Sequence, residues 1–241
     1  VVRANMIVLS LLFLLLFIFG KDSKKPVIRE LSLVCLAISA AVKIYPALFG
    51  LILVKEKRFK ECLRTVVYGI ACFFLPFFLT GGLSSGVRQL AMNLQELSDF
   101  VSSLGFGYSV SFNNTFCLVG ALAGIEPEQA VTLARVGSTV IIAVALLSVF
   151  FLRDQWKICT LITLLIVAYP TVSYQYTLIF ILVPLMLFVD KKSATKKSDL
   201  FYLALFLGIL IPLFLPDNLL FTQLDSYYPM TVAIFVESLC L

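Results

Sequence analysis

The stretch LSLVCLAISAAVKIYPALFGLILV, residues 31–54, decides how this chain is read. It is almost wholly apolar, yet it carries Lys43 three residues before Pro46. A lysine at membrane depth costs roughly 3 kcal/mol on insertion scales, so its presence there points to a role. Pro46 cannot donate a backbone hydrogen bond and disfavours helix in the residue before it, so a helix breaks near KIYP. A charge beside a helix break, inside an apolar run, is the strongest functional clue in the sequence.

The rest of the composition sets the solvent. Of 241 residues, 61% are hydrophobic and only 14% charged, with 22 phenylalanines, which places the long apolar runs in a bilayer. The absence of histidine removes imidazole catalysis and histidine metal ligation. The six cysteines (35, 62, 72, 117, 159 and 240) lack paired spacing, arguing against disulfides and against a cysteine metal site. No cofactor or metal is expected, nor a nucleic-acid partner. The run 5–20 is followed by KDSKK and not by a small-residue cleavage site, so it reads as a span and not a signal peptide. The chain opens on Val1-Val2 and stops at Leu241 within an apolar run, which reads as a piece of a longer protein.

Fifteen of the nineteen lysines and arginines fall in four short segments, 21–30, 55–64, 153–157 and 190–199. The positive-inside rule can place all four in the cytoplasm only if 31–54 and 158–189 each enter and leave on one side. Both carry a breaker near the middle, KIYP at 43–46 and YPTVSYQY at 169–176. Their legs are short: residues 31 to 43 rise about 18 Å and 46 to 55 about 14 Å. Such legs fall short of a ~30 Å core, so their turns should end below the outer surface and line a recessed cavity.

Further spans are expected near 65–80, 130–152, 200–215 and from 229, with one long outer loop over 81–129. Gly81-Gly82 should stop the helix before them. Val87, Leu90, Ala91, Leu94, Leu97 and Val101 recur at helical spacing, an amphipathic helix suited to a membrane surface. Residues 111–124 form a second short helix, and Pro127 begins the next long one between Glu126 and Glu128. The expected fold is therefore all-α and polytopic, a single transmembrane domain over 1–241. It has eight to nine membrane helices, including two short-legged hairpins.

Two cations lie away from the cytoplasmic clusters but within or near membrane depth, Lys43 and Arg135. Arg135 sits eight residues past Pro127, about 12 Å down its helix. The two could converge on an anion at the outer interface, a lipid-linked phosphate being the natural one at that depth. The plain alternative is that both snorkel to headgroups. Asn113 and Asn114, with Thr115, either cap the second outer helix or hydrogen-bond sugar hydroxyls at the cavity mouth. Tyr174, Gln175 and Tyr176 are either interfacial anchors or cavity lining, and Tyr45 beside Lys43 reads as cavity lining. The outer acids Glu96, Asp99, Glu126, Glu128, Asp217 and Asp225 read as solvated loop residues, and the catalytic base stays unassigned.

AVKIYPALFGLILVKEKRFKECLR resembles a motif of the family 87 glycosyltransferases, carried here by Lys43, Pro46, Ala47, Leu48 and Lys57-Arg58-Phe59. SFNNTFCLVGAL and YPTVSYQYTLIFILVPLMLF are similar to that family's outer segment and late hairpin. The resemblance is to the C-terminal portion of the family and covers most of the chain. It implies a GT-C fold in a cell membrane, the bacterial plasma membrane. It also implies transfer of a sugar, often mannose, from a polyprenyl-phosphate donor to a glycan or glycolipid acceptor on the extracytoplasmic face. Lys43 and Arg135 would hold the donor phosphate. The family's aspartate in an early outer loop would precede Val1, and a histidine common near its late hairpin is absent. The alternatives are a transporter or flippase of lipid-linked saccharides, which broken helices also fit, and a noncatalytic membrane scaffold.

Overall fold

A computed structural model of the chain describes residues 6–79, 81–104, 111–112, 116–117, 119–120, 123–168, 175–190 and 197–210. Among these residues every regular element is helical. The chain divides into two compact units, Val1–Ser103 and Leu104–Leu241.

In the first unit, α1 (Ile7–Gly20) leads into α2 (Pro26–Val42), which starts with a proline in its first turn. α2 packs against both α1 and α4 (Phe59–Leu79). Leu14, Phe17, Leu33 and Leu36 are buried along this contact face. In a bilayer, such faces are held by close packing and interhelical hydrogen bonds, because lipid tails are as apolar as leucine. Both devices are present. A Cβ at Gly20 would lie 2.9 Å from the Cβ of Ser32, so the glycine permits close approach. Deeper in, the Ser10 hydroxyl donates to the Ser39 carbonyl at 3.0 Å and the Ser39 hydroxyl donates to the Ser10 carbonyl at 2.7 Å.

Lys43 ends α2 in an extended conformation (φ −142°, ψ 123°), its N–H still bonded to the Ser39 carbonyl at 3.0 Å. The chain then forms a 3₁₀ helix, Tyr45–Gly50, with Pro46 in its first turn, and α3, Leu51–Lys55. The break thus falls at KIYP, and Glu56 comes back to within 2.6 Å of Lys21. The first hairpin closes on itself.

α4 begins six residues before the expected span, because Phe59-Lys60-Glu61-Cys62-Leu63-Arg64 adds helix-forming residues ahead of the apolar run. Gly81 and Gly82 adopt φ of 129° and 94°, which L side chains rarely tolerate, and the Gly82 N–H caps the Phe77 carbonyl at 2.9 Å. α5 (Leu83–Leu104) follows over the predicted amphipathic segment.

In the second unit, α6 (Pro127–Phe151) has Pro127 in its first turn, Glu126 as its N-cap residue and Glu128 close behind. A second hairpin follows from α7 (Gln155–Ala168), a 3₁₀ helix (Gln175–Ile181) and α8 (Leu182–Val189). Trp156 in the first turn of α7 meets Phe188 in the last turn of α8, ring centroids 4.9 Å apart, so these legs also return to one end. α9 (Lys197–Leu210) adds Tyr202 and Phe206 to that contact. The expected span from 229 lies outside the described residues.

The expected count of eight to nine membrane helices, short hairpin legs included, is not confirmed among the described residues. Two helices are long and apolar enough to cross a bilayer, Phe59–Leu79 and Glu128–Phe151. Five further apolar helices are shorter, such as Ile7–Gly20 and Gln155–Ala168. Fourteen helical residues rise only about 21 Å, well under a hydrocarbon core. On α4, Leu63, Val66, Val67, Ile70, Leu75 and Phe78 are all exposed, a surface that water would penalise and lipid would not.

Candidate functional site

Lys43 and Tyr45 flank the break in the first hairpin, and both are half-buried. Pro46 and Phe49 behind them are buried, Phe49 completely, which fixes the 3₁₀ turn against the unit. The geometry puts an ammonium group at the end of the hairpin opposite its charged base. A group so placed can bind an anion or stabilise negative charge developing on a leaving phosphate.

The base of the hairpin holds a feature that sequence reasoning missed. Lys21 is 1% exposed, and its Nζ meets Asp22 Oδ2 at 2.7 Å and Glu56 Oε1 at 2.6 Å. Arg58 reaches Asp22 Oδ1 at 3.0 Å and Glu56 Oε2 at 2.9 Å, pairs with Glu61, and donates to the Lys21 carbonyl at 2.7 Å. Arg64 pairs with Glu30 at 3.0 Å, and the Tyr68 hydroxyl donates to the same carboxylate at 2.6 Å. Burial works against charge on the Arg58 guanidinium, but its hydrogen bonds to Glu61 and Glu56 outweigh that and raise its pKa above the ordinary arginine value. It stays charged at any working pH. The signal was present in the sequence, as acids interleaved with each basic cluster. The positive-inside count reads only the cations.

In the second unit Arg135 is exposed on α6. Its carbonyl accepts hydrogen bonds from Ser138 Oγ at 3.1 Å and Thr139 Oγ1 at 2.7 Å. Phe116 and Gly120 lie close to α6. Ser111 and Phe112 are buried, a Cβ at Gly137 would lie 3.2 Å from the Phe116 ring, and one at Gly120 would lie 2.9 Å from the Ala130 Cβ. Burial pushes the Cys117 thiol up, and the positive charge of Arg135 offsets part of that. The structure therefore packs α6, the helix that carries Arg135, against Phe116 and Gly120. Asn113 and Asn114 themselves, and Tyr174, lie outside the described residues. Gln175 opens the second 3₁₀ helix and Tyr176 follows it, 40% exposed.

A sequence profile of Glycosyltransferase family 87 matches residues 3–173. The chain belongs to that family. The match takes in the whole first hairpin, α6 and α7, and it lies in the N-terminal part of the chain. That corrects the expectation of a C-terminal portion; the resemblance drawn for the late hairpin beyond residue 173 stands outside the match. No curated protein and no solved structure matches the chain. Membership, together with two membrane-length apolar helices, makes this a membrane glycosyltransferase.

Proposed function

We propose that the protein moves a hexose, with mannose the first to test, from a polyprenyl-phosphate carrier to a glycan or glycolipid on the extracytoplasmic face of the bacterial plasma membrane. In this reading the chain acts as one multi-pass transmembrane domain of GT-C type. Lys43 binds the donor phosphate and stabilises its charge as the sugar leaves. Arg135 is proposed for phosphate contact as well. Tyr45, Asn113, Asn114, Tyr174, Gln175 and Tyr176 are proposed to line the sugar's path. The general base is left unassigned.

The observation that supports this most is the half-buried Lys43, held in extended backbone between α2 and Pro46 within the family match. Insertion scales disfavour a lysine at such depth unless it has an anionic partner. Transfer from polyprenyl-phosphate mannose by the full-length protein, compared with its Lys43→Ala and Lys43→Arg variants, tests the assignment. Turnover should fall by about 10²-fold or more in Lys43→Ala, the usual loss when an electrostatic stabiliser is removed. Lys43→Arg should recover part of it. Undiminished transfer by a normally expressed Lys43→Ala variant would remove the phosphate role.

A further inference from the structure

The charges at the base of the first hairpin sort into two sets. All four acids of residues 21–64 (Asp22, Glu30, Glu56 and Glu61) are in ion pairs, held by Lys21, Arg29, Arg58 and Arg64. Four against four, that set is neutral. Lys24, Lys25, Lys55, Lys57 and Lys60 are left over; Lys55 is half-buried, and the other four are exposed and without an ion pair among the described residues. Lys24 and Lys25 belong to the α1–α2 turn, Lys57 takes a left-handed conformation (φ 57°) in the α3–α4 turn, and Lys60 lies in the first turn of α4. The bond from Arg58 to the Lys21 carbonyl ties these two turns together. The four ammonium groups therefore share one end of the unit.

Apolar side chains stand among them. Val27 follows Lys25 by two positions and is 69% exposed, Ile28 is exposed as well, and Phe59, between Lys57 and Lys60, is 61% exposed. A soluble anion would need the lysines alone. Ammonium groups interleaved with exposed apolar and aromatic side chains fit the boundary where headgroups meet acyl chains. Lysine also suits the task, since it meets phosphate as a point charge without a fixed geometry and can follow a fluid layer.

We propose that Lys24, Lys25, Lys57 and Lys60 form a rim that binds the phosphate headgroups of anionic phospholipids in the leaflet facing the hairpin's base. The neutral network beneath acts as the stiff platform that holds the rim. The proposal rests on the protein standing in a membrane, and on nothing about its donor or acceptor.

The test uses the intact wild-type protein reconstituted in vesicles of phosphatidylcholine alone or with added phosphatidylglycerol. Lysine acetylation by a water-soluble amine-reactive ester is read residue by residue by mass spectrometry. The four rim lysines should be labelled about fivefold more slowly in the phosphatidylglycerol vesicles, in line with the attraction of a single basic residue to an anionic surface. Protection should fade in high salt. Buried Lys21 should stay unlabelled in both, which reports that the fold is intact. Equal labelling of the rim in the two vesicle types would overturn the proposal. So would equal protection by inorganic polyphosphate in phosphatidylcholine vesicles, which would assign the rim to a soluble anion. A second arm compares the lipid that copurifies with wild type and with the Lys24→Gln/Lys25→Gln and Lys57→Gln/Lys60→Gln pairs. A lowered ratio of phosphatidylglycerol to phosphatidylcholine supports the rim, and a wild-type ratio in both pairs counts against it. Neither arm reads sugar transfer, so failure of the donor assignment leaves this test untouched.

Discussion

The two hairpins share a plan and differ in what closes them. Each has an α-helix, followed along the chain by a 3₁₀ helix and a short returning α-helix. The first is fastened at its base by charge, Lys21 to Glu56 and Arg58 to both turns. The second is fastened by rings: Trp156 lies 4.9 Å from Phe188 and 5.0 Å from Tyr202, centroid to centroid, with Lys157 Nζ 5.5 Å from the Trp156 and Tyr202 rings. The first hairpin turns back at its breaker, Pro46, and the fastening of each is made from whatever chemistry its flanking turns carry. The difference also separates the two in how they should respond to salt. Charge at a partly wet base is screened, and aromatic packing is not.

The largest effect should come from the aromatic closure. Trp156→Ala removes the ring shared by Phe188, Tyr202 and Phe206 and should cost about 3–5 kcal/mol, seen as a lowered melting temperature of the purified protein in detergent. Salt should not change that loss. A Trp156→Ala variant as stable as wild type would break the comparison at its stronger side.

Next comes the charged closure. Lys21→Met leaves Glu56 and Asp22 without their buried partner and should cost about 3 kcal/mol, toward the low end for broken buried pairs because Glu56 keeps a third of its side chain exposed. Lys21→Met with Glu56→Gln should recover much of this, since the carboxylate that faced the lost ammonium is neutral and Arg58 still holds Asp22 and Glu61. The salt dependence of the first hairpin's melting should shrink in the double variant. If the single and double variants melt alike, the network is not a fastening.

The smallest effect is expected between the helices. Ser39→Ala deletes one arm of the reciprocal clasp with Ser10 and should cost about 0.6–1 kcal/mol, the usual worth of such a bond between helices in lipid. Thermal melting of Ser39→Ala beside Lys21→Met places the clasp below the ion network. A reversed order would make the α1–α2 seam the dominant support of the hairpin.

The likeness of the two hairpins was largely legible in advance, because their breaks are local. Pro46 lacks an N–H wherever it stands, Gly81 and Gly82 alone tolerate their positive φ without strain, and Pro127 is preorganised for a helix start. The family motif around Lys43 was readable for the same reason. The expected eight to nine spans are not confirmed among the described residues, where two helices reach membrane length and five further apolar helices are shorter. Of the candidate site, Lys43 falls at the break as expected, while the packing of Phe116 and Gly120 against the helix that carries Arg135 had no sequence signal.

Reading along the chain sufficed for the membrane setting of this protein, the helical character of its described residues, the stops at Lys43–Pro46 and Gly81-Gly82, and the family to which it belongs. Each of these depends on side-chain polarity or on backbone chemistry within a few residues. Only the tertiary structure decided which cations are spent and which remain. Lys21 and Glu56 are 35 residues apart in the chain and 2.6 Å apart in space, and no local pattern distinguishes the buried Lys21 from the exposed Lys24. Charge is written along the chain, but pairing is a property of two turns that meet.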